Sequence, residues 1–276
     1  MKKTRPTATT AITAITALSE LLAFAVLCGL LAVAATPAAE GAVLTSVPAT
    51  AHGPAVAVYI ARPHDAAKHA AVVLLHGCAG FSGFVAVEAD RLAARGYVAV
   101  ALDALGPSEP DGACTDRDGA EKETAAAQAT LAWLRSQEYV DADHLALIGF
   151  SMGGIAALNL IDPIGSTSPP PAGLRVAIAF YPSCEGHGGN LTVPLAIFDG
   201  DADKVAPAAP CAALVRAATA KGAIAQITTY PGATHGFDVP GPERTFFGEP
   251  IRFDPLAAAD AARKTEQLLT RYLMPQ

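Results

Sequence analysis

The chain has 276 residues, enough for one large domain or two small ones with a substantial buried core, so it is not a miniprotein held together by cross-links. Hydrophobic residues make up 51% and charged residues 16%, with 24 Gly and 21 Pro spread along the chain, which excludes a disordered or coiled-coil protein. The net charge is −7, from 26 acids against 19 bases, and no run of Lys or Arg could track a phosphate backbone, so nucleic acid is not an expected partner.

Residues 1–39 read as a targeting segment. Lys2, Lys3 and Arg5 open it, the apolar run LLAFAVLCGLLAVAA follows over 21–35, and Ala32, Val33 and Ala34 supply the small residues that a signal peptidase requires. The run is shorter than the roughly 20 apolar residues that cross a bilayer. The expectation is therefore export, to the periplasm or beyond, with cleavage between Ala34 and Ala39 and no stable membrane partner afterwards. The alternatives are an uncleaved membrane anchor and a lipoprotein attached at Cys28, for which Leu27 is too bulky a neighbour. Residues 40–54 form a leader into the first strand, and 40–276 is expected to be one domain without internal repeats.

From residue 56 onward, short β-branched runs alternate with Ala- and Leu-rich stretches of helical length. The pattern predicts strands over 56–60, 71–75, 97–102, 145–150, 176–180, 195–198 and 224–230. Helices are predicted over 85–95, 119–137, 152–160 and 207–220, with a last one opening at Asp254 as cap and Pro255 in its first turn. Several strands are apolar without alternation, as strands buried on both faces are. The fold class is α/β, a mostly parallel sheet with helices on both faces. The proline-rich stretch 166–171 reads as a surface loop.

Four of the five cysteines lie beyond the targeting segment: Cys78, Cys114, Cys184 and Cys211. In an oxidising compartment they are expected to form two disulfides, for which three connectivities exist. A zinc site built on Cys184 and His187 would need more ligands than the segment offers.

The most informative string is ALIGFSMGGI over 146–155, which contains G-x-S-x-G between a strand and a helix. That context holds a serine on a strained turn, with Gly149 and Gly153 where the backbone approaches too closely for a side chain. A serine hydroxyl attacks only when a base takes its proton, so Ser151 requires a histidine, and the histidine an acid. In such a sheet the chain order is serine, acid, histidine. Asp199, Asp201 and Asp203 fall at and just after the strand ending LAIFD, and His235 follows the strand ending at Tyr230. An oxyanion hole completes the chemistry, one amide coming from Met152 and another from Cys78 in the loop HGCAG after the second strand. His76 in that loop is expected to orient it rather than to react.

The motifs LLHGCAGF, YVAVALD, GFSMGG, FYPSC, FDGDADKVAP and PGATHGFD, in that order, resemble those of the dienelactone hydrolase family of α/β-hydrolases over nearly all of the chain beyond residue 39. The resemblance implies the α/β-hydrolase fold and places the catalytic acid on Asp203, the histidine on His235 and the nucleophile on Ser151. Founding members use a cysteine nucleophile, and the chain is instead similar to an exported branch that has serine there together with HGC, YPxC and a later cysteine. That similarity implies pairing of Cys78 with Cys114 and of Cys184 with Cys211. The founding members' gating glutamate falls on Gly77, and their substrate-carboxylate arginines match no position here.

The expected function is an exported serine hydrolase that cleaves a small carboxylic ester or lactone through an acyl-enzyme, with no metal and no organic cofactor. The competing readings are a catalytically silent binding protein on the same fold and a peptidase or amidase using the same triad.

Overall fold

The computed structural model describes residues 42–49, 55–106, 118–162 and 170–274. The targeting segment and Cys114 lie outside the described residues. In chain order the elements are β1 (Val43–Val47), β2 (Val56–Ala61), β3 (His69–Leu75), α1 (Gly83–Ala93), β4 (Val98–Asp103), α2 (Gly119–Leu134), β5 (Val140–Phe150), α3 (Met152–Ile161), β6 (Leu174–Phe180), β7 (Leu195–Gly200), α4 (Ala208–Ala220), β8 (Ala225–Tyr230), β9 (Arg244–Phe246), β10 (Glu249–Ile251) and α5 (Pro255–Leu273).

Eight strands form one sheet in the order β1-β2-β4-β3-β5-β6-β7-β8. β2 runs antiparallel to both β1 and β4, and every pairing from β4 through β3 and β5 to β8 is parallel. The central strands read as unbroken apolar runs because both faces are covered, and their residues alternate between two cores. On β3, Ala71, Val73 and Leu75 face the core shared with α2, α3 and α4. Val72 and Leu74 face the core shared with α1 and α5. The alternation continues on β5, where Leu145 and Leu147 go one way and Ala146, Ile148 and Phe150 the other.

α5 begins as the sequence predicts: the Asp254 carboxylate accepts the amides of Leu256 and Ala257, both at 3.0 Å, with Pro255 at the first position. Two features differ from expectation. The leader 40–54 contains a strand, β1, four of whose five residues are exposed, so no hydrophobic pattern announces it. The β9–β10 hairpin turns at Phe247 and Gly248, with φ of 49° and 79°. Two successive positive φ values make the tight turn that suits a two-residue hairpin, but Phe-Gly is not the residue pair that signals one.

Candidate active site

Parallel topology brings the carboxyl ends of β3, β5, β7 and β8 to one edge of the sheet, where loops meet in a crevice. At the end of β5 the chain turns abruptly into α3 through Ser151, which has φ 53° and ψ −113°. A non-glycine residue there is strained, and the surroundings hold it. Its amide donates to the Phe180 carbonyl at 2.9 Å, and its carbonyl accepts the Ile155 amide at 3.1 Å. The flanking glycines are sterically required: a Cβ on Gly149 would sit 2.1 Å from the Gly153 carbonyl oxygen, and one on Gly153 2.5 Å from that of Leu75. Such closeness lets the Gly153 amide donate to the His76 carbonyl at 3.0 Å, fastening the start of α3 to the loop after β3.

The Ser151 hydroxyl lies 2.9 Å from His235 Nε2, and His235 Nδ1 lies 2.7 Å from Asp203 Oδ2. Asp203 Oδ1 accepts the amides of Val205 and Ala206, both at 2.8 Å, so it is fully engaged as a carboxylate and takes its last bond from the Nδ1 proton. Nε2 is then the acceptor facing the serine. The three aspartates at the end of β7 and in the turn after it have separate tasks. Asp201 accepts the Gly232 amide at 2.6 Å and ties the acid turn to the histidine loop. Asp199 is fully buried, takes only the Gly200 amide at 2.9 Å and has Oδ2 without a partner. Burial, with the Asp203 charge second, pushes its carboxyl up to about 8, so at neutral pH Asp199 is an acid and not a second anion.

Several neighbours of the site carry no sequence signal. Tyr181, at φ 40°, sets its ring edge against His235 with centroids 4.7 Å apart, and its hydroxyl donates to Asp238 at 2.7 Å. Burial raises Asp238 to about 7. Phe246 of β9 also stacks on His235, with ring centres 5.8 Å apart and planes within 9°. The imidazole is therefore held by two aromatic rings as well as by Asp203. Together with Phe84, Phe150, Cys78 and Arg244 these residues line a pocket of about 260 Å³ that opens at Ser151. Among the described residues no carboxylate pairs with Arg244.

His76 is buried beneath the loop that carries Cys78. It donates from Nδ1 to the Gly77 carbonyl at 2.7 Å and accepts the Ala104 amide on Nε2 at 3.3 Å. Burial holds it below the usual imidazole range, so it is a neutral spacer with both nitrogens engaged. Glu123 lies 3.5 Å away with neither oxygen hydrogen-bonded, and burial pushes its carboxyl well above the usual carboxylate range.

Cys184 and Cys211 form a disulfide with Cα atoms 5.0 Å apart, which joins the loop after β6 to α4 and leaves no thiolate there for zinc. The pairing of Cys78 with Cys114 falls on a residue outside the described ones. Replacing Cys184 and Cys211 together by serine is expected to lower stability by about 3–4 kcal/mol, the loop-closure value for the 27-residue separation. Denaturant unfolding of the two forms checks this, and a loss below about 1 kcal/mol would contradict it.

The model of the dienelactone hydrolase family matches residues 56–273. The chain belongs to the dienelactone hydrolase family. A relative in Synechocystis sp., named "Putative carboxymethylenebutenolidase", is 26% identical over 238 residues, covering 77% of this chain and 90% of its own. Among solved structures, a "Putative Dienelactone Hydrolase" of Klebsiella pneumoniae subsp. pneumoniae superposes with TM-score 0.68 at 21% identity, over 85% of this chain and 100% of its own. Esterase 2 of Thermogutta terrifontis, phosphorylated by paraoxon, gives TM-score 0.61 at 21% identity, over 86% and 97%. Both structures share the α/β-hydrolase fold with this chain.

Proposed function

We propose that this member of the dienelactone hydrolase family is an exported serine hydrolase that cleaves carboxylic esters or lactones. The observation that carries the proposal is the unbroken line from Ser151 Oγ to His235 Nε2 at 2.9 Å and from His235 Nδ1 to Asp203 at 2.7 Å, at the mouth of a pocket. In this reading Ser151 attacks the substrate carbonyl while His235 takes its proton. The negative charge on the tetrahedral oxygen is met by the amides of Met152 and Cys78. Met152 opens α3, where a first-turn amide has no acceptor within the helix, and Cys78 lines the pocket. One such donor is worth about 3–4 kcal/mol in the transition state. His235 then protonates the leaving alcohol, and in the second half-reaction it activates a water that releases the acid and restores Ser151. Asp203 fixes the tautomer throughout, and Asp199, kept neutral, leaves a single anion behind the imidazole.

Export is supported by the layout of residues 1–39 and by the Cys184–Cys211 disulfide, since such bonds persist in oxidising compartments. The test is labelling with a fluorophosphonate, followed by intact mass on the parent and on Ser151→Ala. One adduct on the parent and none on the variant is the expected result. A folded parent that takes no adduct would overturn the hydrolase reading in favour of a silent binding protein. The same preparation, assayed on matched ester and anilide substrates, separates an esterase from an amidase.

A further inference from the structure

Behind the aromatic wall of the active-site pocket lies a second cavity of about 220 Å³ between α1 and α5, floored by Ile148 and Phe150 of β5 and Phe180 of β6. Phe84 and Phe150 line both spaces, and their rings meet edge to face with centroids 5.1 Å apart, so this pair is the partition. We propose that the crevice between α1 and α5 receives the distal carbons of a linear acyl chain esterified to Ser151, and that Phe84 sets how far the chain reaches. This rests on the ester-cleaving reading and deepens it.

Three observations point the same way. Most of the crevice wall is apolar: Phe150, Phe180 and Ile148 from the sheet, Ala258 and Ala262 from α5. Ala258 and Ala262 are four residues apart, so they lie on one face of α5, and their small side chains are what leave the space open. The far end is charged: Arg91 bonds Glu88 on α1 at 2.7 Å and Glu266 on α5 at 2.5 Å, clasping the two helices. From Phe84 to Arg91 the helix rises about 10 Å, the length available to a medium chain before it meets the clasp. The partition is also placed to move. Phe84 is only half buried and sits in the first turn of α1, whose cap, Ser82, makes no side-chain hydrogen bond. A helix end without its cap opens at low cost. Besides Arg91 and Glu88, two further polar groups border the space, the Asp238 carboxyl already bonded to Tyr181 and the buried Thr265 hydroxyl without a partner, so the crevice is not uniformly greasy.

The experiment compares kcat/KM for p-nitrophenyl acetate, butyrate, hexanoate and octanoate in the parent, in Phe84→Ala, and in Phe84→Ala combined with Ala262→Phe. Removing the partition should raise the octanoate-to-acetate ratio at least tenfold, and filling the crevice from α5 should return it towards the parent value. Ala258→Leu, which narrows the same space from one turn earlier, serves as a second filling variant, and fluorophosphonate labelling of Ser151 reports that each variant is folded. A ratio that stays flat in Phe84→Ala, or a gain that survives both filling variants, overturns the inference while the hydrolase reading stands. A folded parent that neither labels nor cleaves any ester of the series overturns both.

Discussion

Alanine at Ser151 is expected to lower kcat on an activated ester by about 10⁶, alanine at His235 by a similar factor, and both together by no more than either alone. The reason is geometric. The serine has no nucleophilic power until Nε2, 2.9 Å away, accepts its proton, and an imidazole without that hydroxyl has nothing to activate for acyl transfer. Each side chain works only through the other, so the second removal takes away nothing that the first had left. What survives is the pocket and the amides aimed at the carbonyl oxygen, sufficient for about 10³–10⁴ over the reaction in water. Turnover of p-nitrophenyl butyrate by the two single variants and the double variant decides the matter. Losses that multiply would mean that Ser151 and His235 act on separate steps, contrary to the arrangement described here.

Asparagine at Asp199 should change the pH dependence of stability. The carboxyl titrates at about 8 in the folded protein against 3.8 as the ordinary value, chiefly from burial and next from the Asp203 charge. Below pH 4 it is protonated whether the chain is folded or not, and the parent gains or loses nothing through it. As pH rises, the unfolded chain releases the proton and the folded one retains it, so unfolding is favoured by about 1.4 kcal/mol for each pH unit. The loss ends near pH 8, where the folded carboxyl ionises too. Asparagine does not titrate, and its carbonyl can still accept the Gly200 amide. The difference in unfolding free energy between variant and parent should therefore shift towards the variant by something of the order of 5 kcal/mol between pH 4 and pH 8. A buried amide donor without a partner adds a cost that is the same at every pH, so the slope carries the prediction. Urea unfolding of both proteins at pH 4, 6 and 8 measures it, and parallel curves would contradict a neutral Asp199.

The sheet and the nucleophile turn are legible in the sequence because both are local. A strand buried on two faces must be an apolar run, and the tight turn at Ser151 brings Gly149 against Gly153 and Gly153 against Leu75 too closely for a side chain, which leaves G-x-S-x-G in the sequence. Order along the chain does not separate Asp199, at the end of β7, from Asp201 and Asp203 just after it, and it is the family resemblance that points to Asp203. The fold gives the physical reason: the first turns inward, the second ties down Gly232 and the third meets His235. Tyr181, Phe246 and Arg244 are illegible for a related reason: each reaches the pocket through a turn, at Tyr181 itself and at Phe247–Gly248, whose geometry no residue pair announces. β1 escapes detection because an exposed edge strand has no buried face to impose a period. The crevice between α1 and α5 is an absence of volume at two alanines on one helix face, and alanine in a helix reads as nothing more than a good helix former.

Non-local assembly also gives the chain a clock. Ser151 and His235 are separated by 84 residues, an interval that takes roughly 4 to 17 s to synthesise at typical rates. Through that interval the nucleophile has no base, and it acquires one only when β8 docks on β7 as the outermost strand of the sheet. A nascent chain is therefore unreactive towards its surroundings. For the same reason, recovery of hydrolysis in a refolding experiment counts molecules in which that outermost strand has docked, and a collapsed chain with near-native helix content scores zero.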